Sequence, residues 1–338
     1  MQRSAVTMKD LAKMLGVSVM TVSRAFKADT SVSEETRNKV LKTARELGYV
    51  LDSTAANLRT QSTDFVAVII PSINNANFAD TVDALSDRLA EAGMQVLLGY
   101  SGYDIAKEEE LIEQLLRRKP DAIVVTGGRH SDYGRQLLVN TDIPVIETWD
   151  LPKNPIQHVV GFSNAATMQA LVDHLVAKGK SRVAFIGGDT NDDTRGADRR
   201  MGFIAAMNRH GLDASRLINA GHTPLSMREG AEAMSHLLSS MPDTEAVIGV
   251  SDLVAFGCLS ECQRRGISVP QDMSIAGFGA YEISSVSHPT LTTIDPQPRL
   301  IGTEAANLII RLRKQGLGSE PTPQTIKIDW SICEAQSS

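Results

Sequence analysis

A chain of 338 residues exceeds one ordinary domain and has room for two or three packed cores. With 42% apolar and 22% charged residues, and no apolar run near the roughly 20 residues that cross a bilayer, it reads as a globular protein without a membrane span. The net charge of −6 is uneven: residues 1–60 hold ten Lys/Arg and six Asp/Glu, a +4 head before a −10 remainder. A basic head can neutralise phosphates, whereas an acidic body is repelled by them. The polar first ten residues are not followed by an apolar segment with a cleavage site, and Cys258, Cys262 and Cys333 offer no disulfide framework. The expected location is the cytoplasm.

The first element opens at Thr7, which has Asp10 three residues on as in a capping arrangement, with Leu11, Ala12 and Leu15 at helical spacing. Gly16 supplies a turn. Ser18 caps a second helix to about residue 26, in which Val22 and Phe26 share the inward face and Val19, Met20, Ser23 and Arg24 the exposed one. Met20 could sit in a core, its commoner role, but Val19 and Val22 cannot both face inward with it, so exposure is expected. A third helix starts at Ser33-Glu34-Glu35-Thr36, turns Val40, Leu41, Ala44 and Leu47 inward and ends at Gly48. On spacing alone, three short helices with a tight glycine turn fit a plain helical bundle as well as a helix-turn-helix.

The string Asp10-Leu11-Ala12, Gly16-Val17-Ser18, Thr21-Val22-Ser23-Arg24, Val32-Ser33, Thr36-Arg37 and Glu46-Leu47-Gly48-Tyr49 closely resembles the head of the LacI/GalR family of transcriptional regulators. The resemblance implies a DNA-binding head over residues 1–51, with double-stranded operator DNA as partner. It places Val19, Met20 and Arg24 against base edges and Ser18, Thr21 and Ser23 on phosphates. Arg24 can donate twice to guanine, and the two apolar side chains can meet a thymine methyl.

Residues 52–63 are small and polar, and the helical part, about 53–59, is below the ~12–15 residues at which an isolated helix is marginal. A plain linker is one reading. In the family the corresponding helix pairs with its dimer mate in the minor groove, which implies that Leu58 wedges a base step while Arg59 lies beside phosphates. Two departures stand out: Val50-Leu51-Asp52 where the family commonly has Pro-Asn, and Ala56 where it commonly has Arg.

From residue 65 apolar strands alternate with amphipathic helices. Strands are expected at 65–71, 94–100, 122–126, 144–148, 182–187, 246–250 and 274–278. Helices are expected at 78–92, 105–118, 164–178, 198–210, 226–240 and 253–265. Repeated β-α order implies parallel sheets covered on both faces, and two rounds imply two lobes. The predicted fold class is α/β: an N-terminal three-helix helix-turn-helix head plus a two-lobed periplasmic-binding-protein-like core. The core resembles sugar-binding proteins, with crossovers near 162–164, 291–295 and 320–323. That divides residues 64–338 into an N-lobe (about 64–163 and 293–321) and a C-lobe (about 164–292 and 322–338).

Ligands in such folds sit at the carboxyl ends of strands, here 72–78, 127–130, 147–150, 189–199, 251–252 and 279–282. Arg199-Arg200-Met201-Gly202-Phe203 matches the family's Arg-x-x-Gly-Phe, in which the Arg forks onto the effector; Arg200 is expected to be solvated. Phe78 matches an aromatic that packs on ligand, with an inward helix-start Phe as the structural alternative. Asp252 is expected to cap the helix from 253, a role that can coincide with ligand contact. Gly277-Phe278-Gly279-Ala280 departs from the Gly-Phe/Tyr-Asp-Asp of many relatives, removing a carboxylate that would repel an anion. Arg129, His130, Arg195 and Arg199 offer positive charge, and Glu147 and Trp149 a hydroxyl acceptor and a stacking surface. These features resemble the gluconate-repressor branch, implying a sugar-acid effector such as gluconate or a keto derivative; a neutral sugar is the alternative.

The chain has no phosphate-binding Gly-Lys loop, no Gly-x-Ser-x-Gly elbow and no His-Glu-x-x-His, so neither catalysis, cofactor nor metal is expected. Cys258 and Cys262, one helical turn apart, read as buried small residues. A solute-binding protein would explain the body but leave the head unused. A homodimer is expected on a pseudo-palindromic operator, and residues 326–338 carry no leucine heptads for a tetramer.

Overall fold

The computed structural model describes residues 6–26, 31–50, 62–188, 194–315 and 322–338. They form two compact units, Met1–Ser62 and Thr63–Ser338.

In the smaller unit, α1 (Met8–Leu15) opens with a reciprocal capping box between Thr7 and Asp10 and closes at Gly16, whose φ of 65° suits the left-handed cap. The second helix, α2 (Val19–Ala25), is capped by Ser18, and α3 (Glu34–Glu46) by Ser33. Leu11, Ala12, Val22, Ala25, Val40 and Ala44 are buried together, with Leu15, Phe26, Leu47 and Tyr49 packed around them. Ala25 was not foreseen as core. The expectation for residues 52–63, including Leu58 and Arg59, falls almost wholly on 51–61, outside the described residues.

The larger unit contains two six-stranded sheets. In the first, β1 (Phe65–Ile70), β2 (Gln95–Tyr100), β3 (Ala122–Thr126), β4 (Val145–Thr148), β5 (His158–Gly161) and β11 (Thr325–Lys327) run parallel in the order β11-β5-β4-β3-β1-β2. Period-two alternation gives this sheet two apolar faces. Val66, Val68, Ile70, Val124, Ile146 and Val160 join the side covered by α4 (Ala76–Ala90) and α12 (Pro298–Gln315). Ala67, Ile69, Ile123, Val125 and Val145 face Ile112 and Leu115 of α5 (Ile105–Leu116) and Leu138 of α6 (Asp132–Val139).

The second sheet takes the order β12-β10-β9-β8-β6-β7. Its strands are β6 (Val183–Gly187), β7 (Leu217–Asn219), β8 (Ala246–Gly249), β9 (Ser274–Phe278), β10 (Thr292–Asp295) and β12 (Ser331–Cys333). All neighbours are parallel except β10 and β12. Around it pack α7 (Asn164–Ala177), α8 (Thr194–Arg209), α9 (Met227–Ser240), α10 (Asp252–Arg264) and the short α11 (Glu282–Val286). No helix among the described residues is long and apolar enough to cross a membrane.

Two crossover expectations need correction. Residues 292–295 are a strand of the second sheet, hydrogen-bonded to β9, and the chain crosses only after Asp295, before Pro298 opens α12. Residues 322–327 stay with the first lobe, because β11 completes the otherwise open edge of β5. The last crossing follows Ile328, whose N–H still bonds to Gly161 O. The expected assignment of 322–338 to the C-lobe therefore holds only from β12 onward.

Candidate functional site

In the smaller unit the exposed side of α2 carries Val19 and Met20, 42% and 62% exposed, together with Arg24. Two exposed apolar side chains at the N-terminal end of a helix, with an arginine in its last turn, make a surface suited to a groove floor. Ser18 accepts the N–H of Thr21 (3.0 Å), and their hydroxyls lie 2.8 Å apart, so both side chains fix the helix start as well as facing outward. Ser23 is half-buried. The Arg24 guanidinium donates to the Ser31 hydroxyl at 3.3 Å, a long bond that leaves it poised on the surface.

In the larger unit a cavity of about 260 Å³ opens at the carboxyl ends of β1, β4, β8 and β9. Phe78, Trp149, Arg195 and Arg199 all line it. Helix α8 begins at Thr194, four residues before the expected start, so Arg195 and Arg199 fall one turn apart on one helical face. Arg199 is 8% exposed and lies over the Phe278 ring, 3.5 Å from its centroid. Its Nε donates to Asn164 Oδ1 (3.0 Å) and an Nη to Val250 O (2.9 Å), which aims the guanidinium. Arg195 reaches the other lobe, stacking over Phe78 (5.4 Å) and donating to Thr126 O (3.4 Å).

Trp149 does not offer the open stacking plate expected of it. Its ring packs edge-on against Phe78 (5.3 Å) and Phe162 (5.9 Å), and it is 2% exposed. What remains is its indole N–H, buried without a partner among the described residues. A buried tryptophan donor normally finds an acceptor, and this one has none among the described residues. The Thr223 hydroxyl, on the second lobe's side of the cavity, is likewise buried and unpartnered among the described residues.

Asp252, His130 and Glu147 need correction: none lines this cavity. Ser251, not Asp252, caps α10. Asp252 is fully buried beneath the wall, accepting from Thr293 Oγ1 (2.6 Å) and Tyr281 N (2.8 Å). Burial lifts its carboxyl to about 6, against the pull of those bonds and of Arg199. Strand alternation turns Glu147 to the face that carries Val145, under α5 and α6 and away from the cavity. There His130 is buried between two carboxylates, Nδ1 2.5 Å from Glu108 and Nε2 3.7 Å from Glu147. Burial alone would lower its pKa, but the paired glutamates raise it to about 9. Arg129 is not free in the cleft either: it pairs with Asp198 (2.8 Å) beside a second, open cavity. Arg200, expected in solvent, donates to Gly188 O (2.8 Å).

Asn75 and Tyr281 line the wall from within the segments 72–78 and 279–282 expected at the cleft, without being singled out there, whereas Thr223 lies outside every expected segment. Asn75 carried a usable signal, since Asn before an amphipathic run is a helix cap and α4 points its N-terminus at the cleft. Nothing in the spacing marks Thr223.

Residues 7–52 match the model of bacterial regulatory proteins of the lacI family, and residues 172–337 match that of the periplasmic binding protein-like domain. The HTH-type transcriptional regulator GntR of Pseudomonas aeruginosa is 34% identical over 90% of this chain and 89% of its own. The regulator IdnR of Escherichia coli is 29% identical over 92% of both chains. The crystal structure of a LacI-family transcriptional regulator from Silicibacter pomeroyi superposes with a TM-score of 0.90 at 28% identity, covering 98% of this chain and 99% of that one. These relatives are transcription regulators and not enzymes. With a DNA-reading head, two parallel-sheet lobes and a relative of this identity along nearly its whole length, the chain belongs to the LacI family of DNA-binding transcriptional regulators.

Proposed function

We propose that the chain is a dimeric repressor of sugar-acid catabolism genes, released from a pseudo-palindromic operator by a small anionic effector such as gluconate or a keto derivative. One observation carries the choice of an acid: two buried guanidinium groups, Arg195 and Arg199, line a cavity with no Asp or Glu among its described lining residues. Two guanidinium groups lining a confined space favour a carboxylate, which they can meet with charge-assisted bonds. The volume, about 260 Å³, is just below the ~300–1,000 Å³ of drug-sized pockets and suits one small molecule. Relatives named GntR and IdnR support the sugar-acid branch. The ligand's hydroxyls would meet Asn75, Thr223 and the Trp149 indole N–H, with Phe78 supporting its apolar side.

On the DNA side the reading assigns Val19, Met20 and Arg24 to base edges and Ser18, Thr21 and Ser23 to phosphates. Residues 52–63, with Leu58 and Arg59, would join the two units and lie along the minor groove. The test is gel mobility of the full chain with its own upstream DNA, with gluconate, ketogluconate or glucose added. Release by an acid and not by glucose supports the proposal. Release by glucose alone favours a neutral-sugar effector, and no retardation at any ligand concentration defeats the operator reading.

A further inference from the structure

Tyr281 belongs to the second lobe, directly before α11, yet its hydroxyl donates to Asn75 Oδ1 of the first lobe at 2.9 Å. Both ends of this bond are held. The Tyr281 N–H donates to buried Asp252, and its carbonyl accepts from both the N–H and the hydroxyl of Ser284. Asn75 Oδ1 also takes the Asn77 N–H (3.1 Å) as the cap of α4, the helix that carries Phe78. The ring is 9% exposed and forms part of the cavity wall. Its place is reserved by Gly279: at φ +130° a Cβ there would lie 2.7 Å from Tyr281 Cε1 and 3.0 Å from Asn77 Nδ2. Only a residue without a side chain admits the ring in this position.

We propose that Tyr281 is a specificity-determining residue, a strut across the cleft that closes one side of the cavity and limits the effector to a single small sugar-derived unit. The inference rests on the sugar-acid reading for its choice of ligands. A ring fixed at both lobes cannot swing aside for a larger ligand without breaking the Asn75 bond and moving the segment that Asp252 and Ser284 hold. Removing the hydroxyl alone weakens closure but keeps the wall. Removing the ring opens the wall beside Gly279.

The test is calorimetric titration of the full chain, wild type and variants, with gluconate and with lactobionate, a disaccharide acid built on the same hexonate. Wild type should bind gluconate at least about a hundredfold more tightly than lactobionate. Tyr281→Phe should lose roughly two- to tenfold in gluconate affinity and keep the preference. Tyr281→Ala should narrow the preference to about tenfold or less, and Tyr281→Leu, which retains an apolar contact on Gly279, serves where the alanine variant does not fold. Equal binding of both acids by wild type, or an unchanged preference in a folded variant that lacks the ring, overturns the strut. If wild type binds only neutral sugars, the acid reading fails. The same proteins titrated with glucose and cellobiose then decide the role of Tyr281 by the same criterion.

Discussion

Arg199 and Asn164 are joined by a 3.0 Å hydrogen bond where the chain first passes from one lobe to the other. Asn164 in turn donates its Nδ2 to Trp149 O at 2.9 Å, so the arginine of the second lobe is tied through a single amide to the aromatic wall of the first. Ligand charge at Arg199 thus acts on a residue whose partners lie on both sides of the crossover. Arg199→Lys keeps the positive charge but loses the planar fork that serves Asn164 and Val250 together. It should cost roughly 10- to 150-fold in sugar-acid affinity, the range for bonds to a charged group. Operator release by gluconate should be lost at concentrations that saturate wild type. Calorimetry on a variant of near-wild-type melting temperature checks this, and unchanged affinity would remove Arg199 as the carboxylate clamp.

Gly202, one turn beyond Arg199 on α8, is fixed by a neighbour rather than by backbone freedom. A Cβ there would collide with the carbonyl oxygen of Ala165 near the start of α7. The missing side chain lets the two helices approach closely enough for Arg199 to reach Asn164, one residue before Ala165. Gly202→Ala should therefore destabilise the fold by about 1–3 kcal/mol through overpacking. It should also weaken effector binding by displacing α8. Urea unfolding reads the first effect and calorimetry the second; a variant as stable as wild type would show that α7 and α8 have room to separate.

The parts of this protein legible in its sequence are those written in local periodicity. Capping at Thr7, Ser18 and Ser33, the glycine turn and the alternating strands of both sheets follow from side chains within a few residues of one another. Arg195 and Arg199 could be placed in the cleft because strand ends and helix starts define it. The errors at His130 and Glu147 have two causes: Glu147 lies within β4, where alternation turns it to the face of Val145, and His130, in a segment after a strand, is drawn to that face by Glu108 of a separate helix. Short strands β5, β7, β10, β11 and β12 escaped because three or four residues carry too little pattern. Their partners, as with β11 on β5, lie far off in sequence.

Arg24 tests the head. If it donates to a guanine edge, Arg24→Ala should cost about 1–3 kcal/mol on the operator and relax base preference at one position in each half-site. Competition binding against a set of single-base operator variants measures both. A uniform loss across all sequences, with a shallower salt dependence, would make Arg24 a phosphate contact instead. Leu58→Ala should reduce operator bending together with the affinity that depends on it, read by circular-permutation gel mobility. If bend and affinity are both unchanged, residues 52–63 serve as a plain linker.

The buried trio of His130, Glu108 and Glu147 predicts a loss of stability at alkaline pH. The imidazole titrates near 9 in the fold and at its ordinary value near 6.5 in the unfolded chain. Between those values the folded state holds a proton that the unfolded state has released, so stability falls as pH rises. The contribution is complete below about pH 6.5, declines across the interval and is gone above about 9, a total on the order of 3 kcal/mol. Deprotonation would leave two buried carboxylates facing a neutral ring, and the loop that carries His130 also carries Arg129, the partner of Asp198 in the second lobe. His130→Gln removes the titrating group while keeping a polar side chain. The variant should be less stable than wild type at neutral pH, and its stability should fall less steeply between about pH 7 and 9, by close to one proton at about pH 8. Chemical denaturation of both proteins across that range supplies the slopes. Identical slopes would mean that His130 takes no extra proton on folding, and that its two glutamates are held by packing rather than by its charge.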